Sequence, residues 1–242
     1  MSSRRMGRVD ALADAVARRG VLHLRDAATL LGVSEMTVRR DVSAHPERFT
    51  YLGGHIVSAD DIGGAYELDR EADSHAGAKL AACRHALRLI KPDDTIFIDC
   101  GSTLVHLAQQ IPADLPVTAI CYSLNVAQCL AEKPNVRMIL LGGIYHPASA
   151  TFASGEWLEP LGRLGINKAF ISAGGIDLHR GASCSHFHEV PIKQKAISGA
   201  IESHLVVDSS KFGIVKPAFF AKLGDFRSIV TENGAKAPDD AA

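Results

Sequence analysis

The residues best suited to binding chemistry lie after residue 94 and follow apolar runs, at the point where each run ends. Glycines let a backbone approach a ligand closely, hydroxyls and amides donate hydrogen bonds, and a lysine neutralises negative charge. Free N–H groups at the start of a following helix favour a bound phosphate. These residue types predict a pocket for a small phosphorylated molecule. The residues concerned are Asp99, Gly101, Ser102, Thr103, Ser123, Asn125, Gly142, Gly143, Asp177 and Lys211.

A second group of candidate residues lies in the first 58 positions, where nine basic residues, all of them arginine, stand against six acids. The planar guanidinium fork suits phosphates and guanine edges better than a lysine ammonium does. An ordinary solvated face has the same composition, so charge alone leaves both interpretations open. The charge of the whole chain is no guide, since 26 Lys and Arg against 27 acids give −1.

The spacing around those arginines predicts a helix-turn-helix. Apolar residues recur at helical intervals from about residue 5 to 19, and a second short helix fits residues 25–31. Ser34 follows a turn at Gly32 and can cap a third helix, from 35 to about 44. In such a motif this last helix enters the major groove. The residues expected at DNA are Arg25, Ser34, Glu35, Thr37, Arg39, Arg40, Gly53 and Gly54.

A hairpin is expected directly after these helices. Two short β runs, 49–52 and 55–57, flank the Gly53-Gly54 turn and predict the wing of a winged helix-turn-helix. The second helix is expected to turn Ala27, Leu30 and Leu31 inward. Three-helix folds without any role at DNA show the same pattern, and on the pattern alone that alternative stays open.

From Lys79 onwards the chain alternates between strands and helices, which predicts a mostly parallel sheet with helices on both faces. A long helix is expected from about 189 to 202, and the polar residues 231–242 are expected to fray. The predicted fold is therefore α/β, with a winged helix-turn-helix at 1–58, a linker at 59–74 and an effector-binding domain at 75–242. Strands are expected near 95–99, 116–121, 136–141, 168–173, 204–208 and 227–231.

Composition excludes several classes of protein. With 47% hydrophobic and 22% charged residues in 242, the chain is not a disordered polypeptide. Its apolar runs fall far short of the ~20 residues that cross a bilayer, and no signal peptide is visible. Five scattered cysteines indicate reduced thiols, so we expect a cytoplasmic protein without membrane association.

The motifs resemble the DeoR family of bacterial repressors. Residues 33–41, Val-Ser-Glu-Met-Thr-Val-Arg-Arg-Asp, resemble its signature helix-turn-helix, and residues 52–54 resemble its wing. Residues 181–184, Gly-Ala-Ser-Cys, belong to the same resemblance and add Ser183 to the expected effector site. The segments that resemble its effector domain are 99–103, 141–143, 174–177 and 208–213.

This resemblance covers about residues 5 to 231 and implies a function. The chain is expected to repress a sugar or nucleoside catabolic operon and to leave its operator when a phosphorylated sugar binds, with 2-deoxyribose 5-phosphate as the candidate effector. The implied partners are double-stranded operator DNA and further copies of the chain, because operators of this kind usually require dimers. No cofactor is implied. The family's final helix and strand are replaced here by a short polar tail.

The predicted effector domain also resembles ribose-5-phosphate isomerase, which makes a sugar-phosphate isomerase the alternative function. That enzyme uses two aspartates, a lysine and a glutamate base. Here Gly174 stands at the first aspartate position, Asp177 at the second, Arg180 at the lysine, and Glu189 matches the base. Isomerisation needs a base and groups that stabilise an enediolate. This set predicts recognition without catalysis, so Arg180 and Glu189 are expected in the effector site of a protein that is not an enzyme.

One further cluster is considered as a metal site. Cys184, His186 and His188 alternate, and an extended segment would place all three on one face, as zinc ligands require. The sequence offers no second ligand cluster. We therefore expect no metal here.

Overall fold

The computed structural model describes residues 3–19, 21–46, 48–52, 55–58 and 75–240. Within them, the part up to residue 58 consists of three helices and a three-stranded antiparallel sheet of order β1-β3-β2. The wing hairpin β2–β3 is present as predicted, whereas β1 is an additional strand that pairs with β3. The elements are α1 (Ser3–Arg19), β1 (Val21–His23), α2 (Leu24–Leu31), α3 (Glu35–Ser43), β2 (Phe49–Leu52) and β3 (His55–Ser58).

The helices share one apolar core, to which α1 contributes Leu12 and Val16 and α3 contributes Val38. The expectation for α2 is wrong at one position, because Leu30 is 51% exposed. The helix begins at Leu24, and its inward face runs through Leu24, Ala27 and Ala28, which leaves Leu30 on the outer side.

The second part of the chain is built on a seven-stranded sheet of order β15-β14-β12-β9-β4-β5-β6. All neighbours are parallel except the edge pair β14–β15. A three-stranded antiparallel sheet, β10-β11-β13, and a hairpin, β7–β8, accompany it. The elements are α4 (Ala76–Leu87), β4 (Thr95–Ile98), α5 (Ser102–Gln110), β5 (Val117–Cys121), α6 (Leu124–Ala131), β6 (Val136–Leu140), β7 (Ile144–His146), β8 (Thr151–Ala153), α7 (Leu158–Leu161), β9 (Ile166–Ile171), β10 (Gly175–Asp177), β11 (Gly181–Cys184), α8 (Val190–Gly199), β12 (Ala200–Val206), β13 (Ala218–Ala221), β14 (Ser228–Thr231) and β15 (Gly234–Lys236).

Alternate residues of the central strands face two different cores. Ile96 and Ile98 of β4 pack with α4, α5 and α6, whereas Phe97 between them packs into the core that α8 closes. This period of two is the geometry of a strand buried on both faces. The sequence prediction of a parallel sheet covered by helices on both sides is confirmed.

Two expectations about this part are wrong. The predicted helix 189–202 ends at Gly199, because Ala200 already pairs with Ile166 of the neighbouring strand β9. The tail is not frayed throughout, because Ala235 pairs with Val230 and Gly234–Lys236 covers the last edge of the sheet. Among the described residues no helix combines the length and the apolar character needed to span a bilayer.

Candidate functional site

The turn into α3 is held by two local devices. Gly32 ends α2 with φ 62°, a conformation that glycine adopts without steric cost. Ser34 then caps α3 as predicted, because its Oγ accepts a hydrogen bond from the Thr37 N–H at 3.2 Å. The two hydroxyl oxygens lie 3.0 Å apart. Ser34 and Thr37 therefore brace the start of the helix.

A partly buried ion pair joins α3 to α1. The Asp41 carboxylate is 2% exposed and lies 2.6 Å from the Arg8 guanidinium. Val38 and Val42 flank Asp41 on the inward face of α3. Sequence analysis grouped Arg8 with the other N-terminal cations and missed this pair, since the two residues are far apart in the chain.

The opposite face of α3 is exposed to solvent and carries Met36, Arg39 and Arg40. Glu35 and Arg25 are exposed as well, and Thr37 is half-buried. The structure therefore brings the predicted DNA residues of α3 to one rigid, solvent-facing element. The remaining predicted DNA residues, Gly53 and Gly54, lie outside the described residues.

The centre of the second site is Asp99, which follows β4 and is fully buried. Its Oδ1 accepts a hydrogen bond from Tyr122 Oη at 2.6 Å, and its Oδ2 accepts from both Ser172 N–H at 2.8 Å and Ser172 Oγ at 2.9 Å. The Lys193 ammonium completes the set with an ion pair to Oδ2. Protein donors thus occupy both oxygens of Asp99, and its place in the effector pocket stays a prediction.

Glu189 joins this cluster through Lys193, whose Nζ lies 3.7 Å from Glu189 Oε2. Burial raises the pKa of the Glu189 carboxyl to about 7, while the Lys193 ammonium opposes the shift. Burial alone would lower the pKa of Lys193, but the Asp99 carboxylate beside it raises that pKa well above its ordinary value. A charged lysine and a carboxyl that changes protonation near neutral pH therefore share a dry interior.

The start of α5 presents the predicted phosphate-binding residues. Gly101, with φ 93°, occupies the N-cap position and no side chain caps the helix. Ser102 and Thr103 are buried behind it, and Lys79 from α4 reaches in, its Nζ 3.0 Å from Ser102 Oγ. Lys79 is itself fully buried. A helix N-terminus beside an ammonium group is suited to an anion.

The start of α6 resembles that of α5. Ser123 is buried in the N-cap position without a side-chain cap bond, and Asn125 is half-buried in the first turn. Gly143 follows at the turn into β7, where a Cβ would lie 2.4 Å from the Ala153 carbonyl oxygen. Its partner in the predicted pair, Gly142, is half-buried at the same turn.

A cavity of about 680 Å³ opens beside Gly143, between the β7–β8 hairpin and the start of α8. The imidazoles of His146 and His188 lie on its wall and stack at 3.8 Å between ring centroids. Burial lowers the pKa of His188 to about 4, and the neighbouring His146 adds to the shift. Both Ser149 Oγ and Thr151 Oγ1 lie 3.3 Å from His188 Nε2. The His188 imidazole is therefore uncharged near neutral pH.

Three further predicted residues belong to the small sheet. The Asp177 carboxylate accepts hydrogen bonds from the Arg180 N–H at 2.7 Å and the His179 N–H at 3.0 Å, which hold its pKa below the ordinary value. The Arg180 guanidinium stacks 4.2 Å from the Phe219 ring centroid. Ser183 is buried, and its Oγ accepts from the Lys216 N–H at 2.9 Å. The hydrogen bonds of Asp177 stabilise the β10–β11 turn, and Ser183 joins β11 to the segment that contains Lys216.

Lys211 lies in the short helical turn Ser209–Lys211 after β12 and is half-buried. The preceding Asp208 is buried and accepts a hydrogen bond from the Ser210 N–H at 3.1 Å, which shapes the turn. The following Gly213 donates to the carbonyl of Ile176 at 2.9 Å. The Lys211 turn is thereby attached to the small sheet.

Sequence analysis missed the residues that complete the buried cluster, namely Lys79, Tyr122, Ser172 and Lys193. The two lysines carry a weak signal, since each stands at an inward position of an otherwise apolar helix face. In α8, for example, Lys193 lies between Ile192 and Ala196, which are both buried. Among the described residues, no group of three or more His, Cys, Asp or Glu side chains is arranged to hold a metal ion.

Comparison with known proteins assigns relatives to both parts of the chain. Residues 8–56 match the family model of the DeoR-like helix-turn-helix domain, and residues 74–233 match that of the DeoR C terminal sensor domain. The chain is 40% identical to the deoxyribose operon repressor of Escherichia coli over 96% of this chain and 92% of that protein. It is 29% identical to the lactose phosphotransferase system repressor of Staphylococcus epidermidis over 93% and 91%. Among solved structures, eIF2B beta from Chaetomium thermophilum shares the fold with a TM-score of 0.51 at 12% identity, over 98% of this chain and 82% of that one.

Proposed function

Because the chain belongs to the DeoR family of transcriptional regulators, we propose that it is a sequence-specific repressor of a sugar or nucleoside catabolic operon, released from its operator by a phosphorylated sugar. The observation that carries this proposal is the outward face of α3, whose arginines are presented by a capped and ion-paired helix. The 40% identity to the deoxyribose operon repressor supports 2-deoxyribose 5-phosphate as the effector.

We propose that residues 1–58 bind DNA, that residues 59–74 form a linker and that residues 75–242 bind the effector. The two matched family models, over 8–56 and 74–233, support these boundaries. The chain acts in this proposal as a dimer or higher oligomer, because helix-turn-helix operators present two half-sites.

On the DNA side, α3 enters the major groove, where the guanidinium groups of Arg39 and Arg40 contact bases or phosphates. Thr37 also contacts bases or phosphates in this proposal. Ser34 and Glu35 lie beside it at the start of the helix, and Arg25 lies on the preceding helix. Phosphate contacts position such a helix, while base contacts determine which sequence it binds. Gly53 and Gly54 of the wing complete the proposed surface.

We expect Arg40→Ala to weaken operator binding by about 1–3 kcal/mol if its guanidinium contacts a base bidentately. The measurement is fluorescence anisotropy of the full-length chain with a duplex that it selects from a random pool. Arg163→Ala removes an arginine that is exposed in the other part of the chain and should bind as wild type does. Unchanged affinity in Arg39→Ala, Arg40→Ala and the double variant would show that α3 is not the DNA-reading helix.

On the effector side, we propose that Gly101, Ser102 and Thr103 at the N-terminus of α5 hold the phosphate together with Lys211. Ser123 and Asn125 at the N-terminus of α6 line the same site. Uncapped helix N-termini supply N–H donors and a favourable dipole for an anion. The remaining residues proposed to line the effector site are Asp99, Gly142, Gly143, Asp177, Arg180, Ser183 and Glu189.

Lys211→Ala is expected to weaken the binding of 2-deoxyribose 5-phosphate by about 1.5–3 kcal/mol, the usual worth of a hydrogen bond to a charged group. Operator affinity measured without the sugar should not change. Titration calorimetry gives the sugar affinity, and Lys222→Ala, which removes an exposed lysine of the same part, is the control. A variant that binds the sugar as tightly as wild type would place the phosphate elsewhere.

An isomerase-type enzyme is the alternative that the family assignment disfavours, because the named relatives are repressors. The residues argue in the same direction. Asp177 and Arg180 are engaged in a hairpin turn and a stack on Phe219, and Gly174 supplies no carboxylate. Turnover of ribose 5-phosphate by the purified chain would overturn the regulator assignment.

A further inference from the structure

Met36 is unusually exposed for an apolar side chain. It lies in the first turn of α3 and 74% of its surface is accessible. The core beneath the helix is supplied by Val38 and Val42, which are buried. Met36 is not part of that apolar core. Its side chain is available to a partner that approaches the outward face.

That outward face has a defined composition. Met36, Arg39 and Arg40 are spaced i, i+3 and i+4, which places them on one side of a helix. The hydroxyls of Ser34 and Thr37 contact each other at the start of the helix. The face thus offers two guanidinium groups and one flexible, polarisable thioether.

The major groove of DNA presents one apolar group on its base edges, the 5-methyl group of thymine. The other groups there are hydrogen-bond donors and acceptors, to which a methionine side chain offers only the weakly accepting sulfur of its thioether. We propose that Met36 contacts the 5-methyl group of a thymine and selects that base at one position of each operator half-site. This inference rests on the proposed function, because it requires α3 to lie in the major groove.

The test replaces single thymines by uracil, which pairs identically but lacks the methyl group. A duplex is first selected from a random pool by the full-length chain, and each of its thymines is then changed to uracil in turn. At one thymine position of each half-site, replacement by uracil should weaken wild-type binding about fourfold. This factor corresponds to the loss of one buried methyl-sized contact, which is worth about 0.8 kcal/mol. Met36→Ala should bind the thymine duplex about fourfold more weakly per half-site and show no further loss with uracil.

Leu30→Ala is the matched control, because Leu30 is an exposed apolar residue on α2. The Leu30→Ala variant should lose as much affinity as wild type when uracil replaces the thymine that Met36 contacts. Thermal unfolding of both variants should match wild type, since neither side chain is buried. If the wild-type chain tolerates uracil at every position, or if Met36→Ala remains as sensitive as wild type, the inference is wrong although the repressor assignment stands. If no duplex is enriched at all, the proposed function fails and the inference fails with it.

Discussion

Lys193→Met should destabilise the effector part of the chain by about 3–5 kcal/mol, the usual result of leaving one partner of a buried ion pair without its counter-charge. The Asp99 carboxylate is fully buried and would lose its only described ammonium partner, while Tyr122 and Ser172 would still donate to it. Trp157 is the single tryptophan and packs against the same core, so its fluorescence reports the unfolding of this part. A urea titration of the full-length chain followed at that tryptophan measures the loss.

Lys195→Met is the matched control, because Lys195 lies on the same helix but is half-exposed. Surface substitutions of this kind usually change stability by no more than about 0.5 kcal/mol. In a double-mutant cycle, Asp99→Asn combined with Lys193→Met should cost less than the sum of the single changes, because the buried charge is then removed with its partner. Equal urea midpoints for Lys193→Met and Lys195→Met would show that the buried pair contributes nothing to stability.

The N-terminal motif is predictable from the sequence because its determinants are local. Ser34 caps a helix whose first residues follow it directly, and Gly32 ends the helix before it. The predicted end of α3 differs from the observed one by a single residue. Leu30 is the exception, since its direction depends on where α2 begins, and helix starts are poorly determined by pattern alone.

The buried cluster is not predictable in the same way. Asp99 stands out as a polar residue at the end of an apolar strand, but its partner Lys193 is 94 positions away. Only the packing of α8 against the sheet decides that this lysine meets the carboxylate. The role of Lys79 is not predictable from the sequence for the same reason, since this lysine reaches Ser102 from a different helix. Sequence patterns identify which turns are polar, whereas tertiary packing determines which charges meet there.

The two proposed sites, for operator DNA and for the sugar phosphate, are expected to be energetically coupled. If a sugar phosphate releases the operator, it must bind one arrangement of the chain better than the other, because equal affinity for both shifts nothing. Linkage then requires the reverse effect, so saturating operator should lower the affinity for the sugar by the same factor. Couplings of this kind are typically about 5–150-fold. We therefore expect a loss of that size when 2-deoxyribose 5-phosphate is titrated into the operator complex instead of the free chain.

Two truncated chains show where the coupling resides. Residues 1–58 alone should bind the operator weakly and ignore the sugar, because they lack the effector part and the oligomer contacts proposed for the full chain. Residues 75–242 alone should bind the sugar with the affinity of the free full-length chain, and adding operator should leave that affinity unchanged. The coupling then depends on residues 59–74, which connect the two parts. Identical sugar affinities for the full-length chain with and without operator would mean that sugar binding does not control release of the operator. The proposal that a sugar phosphate releases the repressor would then be wrong.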